Sequence, residues 1–143
     1  MDKKPLLALS GTQPWFWACM NAGKHIENRS WPTKVRGTVA FHAAKGMTLD
    51  QYQEAKGFIL SVNKNIVVPY RNELVRGAII GLVDIVDCVS AHASPWFFGE
   101  YGFVLRNPRP LEEPIFCKGA LGFWPVPSEI VIQIEEQLCT VAK

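Results

Sequence analysis

The apolar positions of the chain fall into short runs separated by turn residues. Leu6-Leu7-Ala8-Leu9 reads as a first strand, closed by the turn-prone Ser10-Gly11-Thr12. Pro14 then suits the first position of a helix through Trp15-Phe16-Trp17-Ala18-Cys19-Met20-Asn21-Ala22, with Gly23 as its stop. Trp15, Phe16 and Trp17 point in three directions around such a helix, so at least one ring is expected to leave the core and face a cleft. Thr38-Val39-Ala40-Phe41-His42 is a clear strand pattern. Thr48 is placed to cap a helix whose apolar positions Leu49, Tyr52, Ala55, Ile59 and Val62 keep the i, i+3, i+4 spacing. Residues 63–76 are polar and broken by Pro69, which predicts a connection.

Residues 77–88 give the strongest strand signal, β-branched and nearly continuous, and Gly77 and Gly81 allow the bending that a closed barrel needs. Two shorter strands are expected at 101–105 and around Gly122-Phe123-Trp124, after which Pro125 and Pro127 end the sheet region. Ser128 caps a last amphipathic helix with Ile130, Val131, Ile134 and Leu138 on one side and Glu129 in its first turn. Five or six short strands with two or three helices predict an α+β fold built on a small barrel, as a single domain over residues 1–143. Strand and helix alternate too irregularly for a doubly wound sheet.

One stretch breaks the pattern. Gly23-Lys24-His25-Ile26-Glu27-Asn28-Arg29-Ser30-Trp31 holds a lysine, a histidine, a carboxylate, an arginine, a hydroxyl and an indole around a single aliphatic residue. In an extended chain, His25, Glu27, Arg29 and Trp31 share one face and Lys24, Ile26, Asn28 and Ser30 the other. A strand laid only over a core alternates apolar with polar, so this one lines a polar cleft or forms a solvated edge.

Composition excludes several classes. Apolar residues make up 48% of the chain and charged residues 20%, which is ordinary globular composition and not that of a disordered segment. No run approaches the ~20 apolar residues of a membrane-spanning helix, and the apolar run after Lys3 and Lys4 is too short for a signal-peptide core, so a soluble, cytoplasmic protein is expected. Cys19, Cys88, Cys117 and Cys139 form no CxxC pair; they read as small apolar residues, and with His25, His42 and His92 they match no structural-zinc spacing. The net charge of +2 conceals a basic segment, because residues 24–45 alone carry +4. Such a segment on a nearly neutral domain suits an anionic ligand of limited extent, a nucleotide or a short single strand, more than a long duplex.

At this point the residues resemble a known family, the ASCH domain of the PUA-like superfamily. The resemblance is carried by Gln13-Pro14-Trp15, by residues 23–31, by Arg36-Gly37 and His42-Ala43-Ala44-Lys45, and by Gly77-Ala78-Ile79-Ile80-Gly81. It continues through Ser94-Pro95-Trp96-Phe97, Tyr101-Gly102-Phe103 and Lys118-Gly119-Ala120-Leu121-Gly122, so that it spans about residues 6–127. It implies a small β-barrel with a cleft beside the first helix and the 24–31 segment, and RNA or nucleotide binding. Some members are hydrolases, acting as ribonucleases or deacetylating acetylated cytidine. The deacetylating members look as if they use a lysine, a threonine three residues on and a glutamate elsewhere; Lys24 matches the lysine, but the threonine position is Glu27.

A nucleotide wants cations for its phosphate, aromatic faces for its base and polar groups for the base edge. Candidate binding residues are therefore Arg29, Lys45 and His42, with the rings of Trp15, Trp31, Trp96 and Tyr101. Cleavage of a phosphodiester needs an acid and a base near the scissile bond, with a cation to stabilise charge. Lys24, Glu27 and His42 are candidates for those roles, and Ser94 is either a nucleophile or the cap of a helix that its Ser-Pro setting suggests. Three readings follow: a ribonuclease-like hydrolase of single-stranded RNA working around Lys24, an amidohydrolase of a modified nucleoside, or a non-enzymatic RNA-binding adaptor module. No cofactor and no metal site are expected, and the participation of a divalent ion in hydrolysis stays open.

Overall fold

The computed structural model describes residues 5–142 of the chain, so Lys3 and Lys4 of the N-terminal basic run lie outside the described residues. The elements are β1 (Leu7–Gly11), α1 (Trp15–Asn21), β2 (Ile26–Arg29), β3 (Gly37–Ala43), α2 (Leu49–Val62), a 3-10 turn (Arg71–Glu73), β4 (Ala78–Val89), β5 (Tyr101–Phe116), β6 (Phe123–Pro125) and α3 (Ser128–Ala142). The strands form one sheet in the order β2-β5-β4-β3-β1-β6. Every neighbouring pair is antiparallel except β1 with β3. The architecture is the expected α+β barrel-like fold, a curled half-barrel of six strands with three helices.

The curl comes from register shifts. Pairing slips between Phe41 and His42 in β3–β4, and three times along β4–β5, at Ile79/Gly81, Leu82/Asp84 and Ile85/Asp87. Each slip bends the strand and increases its twist. The two edge strands are brought together by a side chain. The Trp31 ring, just past β2, sits edge-on to Phe103 at 5.4 Å and to Phe123 of β6 at 5.9 Å.

α1 lies close on the sheet because two glycines make room for it. A Cβ on Gly11 would come within 2.4 Å of Phe16 Cζ, and one on Gly81 within 2.4 Å of Met20 Sδ. Phe16 can therefore stack on Phe41 of β3 with centroids 3.9 Å apart. Gly81 thus serves close approach of a helix as well as curvature. The start of α1 is capped from outside, since Pro14 has no side-chain donor or acceptor: Trp17 N–H donates to Gln13 Oε1 at 2.8 Å. α2 begins at the capping box expected of Thr48, with Gln51 as its reciprocal partner, and buries Tyr52, Ala55 and Ile59.

Two expectations change. Ser10 and Gly11 belong to β1 and not to a turn, because the parallel pairing with β3 runs on to Ser10↔His42 and Gly11↔Ala43. The short strand expected at 101–105 is 16 residues long, ending at Phe116. Pro108, Pro110 and Pro114 within it read as breakers in sequence, yet the irregular register of β4–β5 accommodates them.

Candidate functional site

Gly23 ends α1 at φ 76°, in the left-handed region that suits glycine, and turns the chain into β2. Lys24 N–H donates to Ala18 O at 3.2 Å, so the lysine side chain starts beneath α1. Its ammonium is buried (2% exposed) and donates to the carbonyl of Ile26 and to Glu27 Oε1, the latter at 3.2 Å. Glu27, itself buried, uses its second oxygen for Arg29: Nε and Nη2 approach Oε2 at 3.0 and 2.9 Å. Arg29 Nη2 also donates to Ser10 O at 3.0 Å, which ties β2 to β1 across the open side of the half-barrel. The period of two puts Glu27 and Arg29 on one face, as the sequence requires, and Lys24 reaches them from before the strand.

Glu27 and Arg29, with Lys24 beneath them, form the floor of a cleft of about 570 Å³, walled by Trp15, Trp31, Gln51 and Glu54. Lys24 sits 5.4 Å from the centroid of the Trp15 ring, and the Arg29 guanidinium carbon 5.8 Å from that of Trp31. Of the three successive aromatics of α1, Trp15 is the ring that faces the cleft, while Phe16 is fully buried and Trp17 lines a separate groove with Gln13 and Pro69. A side chain in this cleft meets paired charge: Glu27 holds Lys24 and Arg29, and Glu54 adds a further carboxylate.

A second cleft, of about 800 Å³, adjoins the first and shares Ser10, Ala44 and Leu121 with it. His42 and Lys45 line this one, with Arg76 and Lys118. His42 is buried and doubly bonded, with Nε2 2.8 Å from Cys117 O and Nδ1 3.1 Å from Ser10 Oγ. A carbonyl only accepts, so Nε2 carries a proton, and Nδ1 shares a hydrogen bond with the Ser10 hydroxyl. Trp124 Nε1–H donates in turn to Ser10 Oγ at 3.0 Å.

The other residues singled out in the sequence lie elsewhere. Ser94 Oγ accepts from Trp96 N–H at 3.1 Å and so caps the turn of the 90–100 loop. Trp96 is 5% exposed within a core cluster that includes Ile59 and Tyr52. Tyr101 is half-buried at the start of β5, paired with Arg29. Asn28 binds that loop to β2: Nδ2 donates to Trp96 O and Phe98 N–H donates to Oδ1. Ser10, Gln51, Glu54, Arg76 and Phe116 line the clefts without having been singled out in the sequence, and Lys118 and Leu121 entered only through the family resemblance. Among the described residues, no three His, Cys, Asp or Glu side chains converge as a metal site, and no helix is long and apolar enough to cross a membrane.

Fold and site together define a small α+β half-barrel that carries a charged, aromatic-walled cleft between α1, β2 and α2. The model of the ASCH domain matches residues 9–124, and the chain belongs to that family. It is similar to activating signal cointegrator 1 of Homo sapiens, 28% identical over 132 residues that cover 85% of this chain and 22% of that protein. The Mus musculus protein of the same name is 27% identical with the same coverage. The chain thus spans about a fifth of the length of these relatives. The crystal structure of ASCH from Zymomonas mobilis superposes with a TM-score of 0.57 at 12% identity, covering 94% of this chain and 96% of that one, a likeness of fold.

Proposed function

We propose that this domain binds single-stranded RNA, seating one nucleoside in the cleft between Trp15 and Trp31. The observation that carries the reading is the composition of that cleft: two indoles in its walls and hydrogen-bonding groups of Thr12, Ser30, Gln51 and Glu54 over a floor whose two cations, Lys24 and Arg29, are both paired with Glu27. Stacking on an aromatic ring contributes about 1–3 kcal/mol per base and tolerates any base, while the polar rim supplies groups for a base edge.

The hydrolytic readings ask more of the floor than its pairing offers. A general base must reach the proton it abstracts, and Glu27 is buried with both oxygens turned to cations. Lys24 donates to Glu27 and to the Ile26 carbonyl, an arrangement that suits charge balance more than proton abstraction. The geometry therefore favours recognition over ribonuclease or amidohydrolase chemistry.

The test pairs binding with cleavage. Quenching of tryptophan fluorescence by a short uridine or cytidine oligonucleotide is followed for the protein and for Trp15→Ala, beside a gel assay of the same labelled strand with and without Mg2+. Binding without cleavage, weakened about 5- to 100-fold by Trp15→Ala, is the expected result. Absence of binding, or binding indifferent to Trp15, overturns the reading; cleavage lost in Lys24→Ala would replace it with the hydrolase.

A further inference from the structure

The first cleft is built for a neutral group. Its guanidinium is taken by Glu27, the lysine below it is taken by the same carboxylate, and Glu54 stands in the wall. Two cations and two carboxylates sum to zero, so a phosphate placed there would meet Glu54 and Glu27 beside cations that Glu27 already engages. The adjoining cleft is the opposite. Lys45, Arg76 and Lys118 line it with no carboxylate among the lining residues, and among the described residues none of the three is in an ion pair. Lys45 and Lys118 are exposed, and Arg76 is fixed at the rim by donating from Nη1 to Lys45 O at 3.0 Å. The two clefts meet over Ser10, Ala44 and Leu121, so a chain leaving one enters the other.

We infer that the second cleft is a phosphate subsite for the backbone of an adjoining nucleotide, so that the ligand is a single strand of at least two nucleotides and not a free nucleoside. The inference rests on the nucleoside-binding reading of the first cleft. Division of labour explains why the positive charge of the 24–45 segment is split. Lys24 and Arg29 are consumed under the nucleoside site, and Lys45 joins two cations from distant parts of the chain to face the backbone. His42 is not free to reach a phosphate here, because both its ring nitrogens are engaged, by Cys117 O and Ser10. The exposed Phe116 ring and Leu121 give apolar surface beside the cations, as a sugar or a second base requires.

The experiment compares a nucleoside, its 3′- and 5′-monophosphates, the dinucleoside monophosphate and a tetranucleotide, each titrated at several salt concentrations. The proteins are the parent, Trp15→Ala and Lys45→Ala/Lys118→Ala. Arg76 is left intact because it donates to the backbone. The double variant is expected to bind the nucleoside as the parent does and the tetranucleotide about tenfold more weakly. Its log–log salt slope should fall by about 0.7 for each phosphate that is no longer neutralised. A tetranucleotide bound equally well, with the same slope, by parent and double variant overturns the subsite while leaving the first cleft standing. Equal losses for monophosphate and dinucleotide would overturn the requirement for a strand, the terminal phosphate alone filling the site. Loss of the nucleoside-binding reading is separately visible as nucleoside affinity unaffected by Trp15→Ala, and it would take the inference with it.

Discussion

Glu27 stands between two cations at once, Lys24 Nζ at 3.2 Å from Oε1 and Arg29 Nη2 at 2.9 Å from Oε2, with the lysine and the carboxylate buried. A buried charge whose partner is removed costs several kcal/mol, about 3–5 in measured cases. Removing the hub strands both cations, whereas removing the lysine leaves Glu27 paired with Arg29. Glu27→Gln is therefore expected to lower unfolding free energy by about 3 kcal/mol or more, and Lys24→Met by less, the methionine filling the same apolar sheath. Urea denaturation of the two variants checks the order. Equal losses would mean that Arg29 does not hold Glu27 alone.

Cys19 on α1 is buried under the same triad, and burial pushes its thiol up to about 12, opposed by the Lys24 charge. A thiol that stays protonated does not react, because the thiolate is the nucleophile. In native protein at pH 8, a disulfide reagent should modify the exposed Cys139 first and leave Cys19 untouched until the fold opens. The folded value lies above the ordinary 9.0, so below pH 9 the thiol is neutral in both states and contributes no pH dependence. As pH rises from 9 toward 12 only the unfolded chain ionises and stability falls. Cys19→Ala should flatten that alkaline limb, at the cost of a small cavity. An unchanged limb, or rapid native-state labelling of Cys19, would contradict the burial argument.

How much of this was legible in the sequence depends on the distance over which each feature is assembled. The 24–31 segment stood out because its chemistry is local. Its polar residues break the strand pattern, and period two already puts Glu27 beside Arg29. The Thr48 cap was legible for the same reason, since its partner is three residues away. The depth of Lys24 was not, because it depends on the turn at Gly23 tucking the chain beneath α1. The second cleft was legible only in part, through His42 and Lys45. Lys45, Arg76 and Lys118 are single cations in three separate segments, and Ser10, His42, Cys117 and Trp124 meet only through pairing of strands far apart in sequence. Most of β5 was hidden by prolines, which cost a regular ladder its hydrogen bonds but cost a slipped one less.

In β4, away from the clefts, Asp84 accepts from Arg109 Nη2 at 2.9 Å and from Thr38 Oγ1 at 2.8 Å. The hydrogen bond from Arg109 holds its carboxyl below the ordinary 3.8, with Thr38 and Asn107 adding to the effect against a partial desolvation. A depressed carboxyl contributes stability that is complete above the unfolded value and is lost as pH falls through the folded one. Asp84→Asn should therefore cost a small amount at neutral pH, within about 1 kcal/mol for so exposed a pair, and the difference from the parent should close below pH 4. Thermal melts between pH 2.5 and 7 check this. A difference that persists undiminished at the acid end would assign the loss to the hydrogen-bond geometry and not to the charge.

Gly119 is the residue whose side chain the second cleft has no room for. A Cβ there would come within 2.5 Å of His42 Cε1, 2.6 Å of Nδ1 and 2.7 Å of Ser10 Oγ. The imidazole has no easy retreat, since Cys117 O holds one nitrogen and Ser10 the other, and Trp124 pins Ser10 in turn. Gly119→Ala must therefore push the 117–121 loop outward or break the Ser10–His42 hydrogen bond. Overpacking of this kind costs about 1–3 kcal/mol, which for a domain of this size is a fall in Tm of several degrees. Nitrogen chemical shifts of His42 separate the two responses. If the loop yields, the Nε2–H tautomer persists and only the melting temperature moves. If the ring yields, Nδ1 loses Ser10 as its partner and the tautomer signature broadens. Because Lys118 precedes Gly119 in the same loop, the outward shift should also weaken oligonucleotide binding while sparing the nucleoside. A variant with parental melting temperature and His42 shifts would show that the loop bears no load on the dyad beneath it.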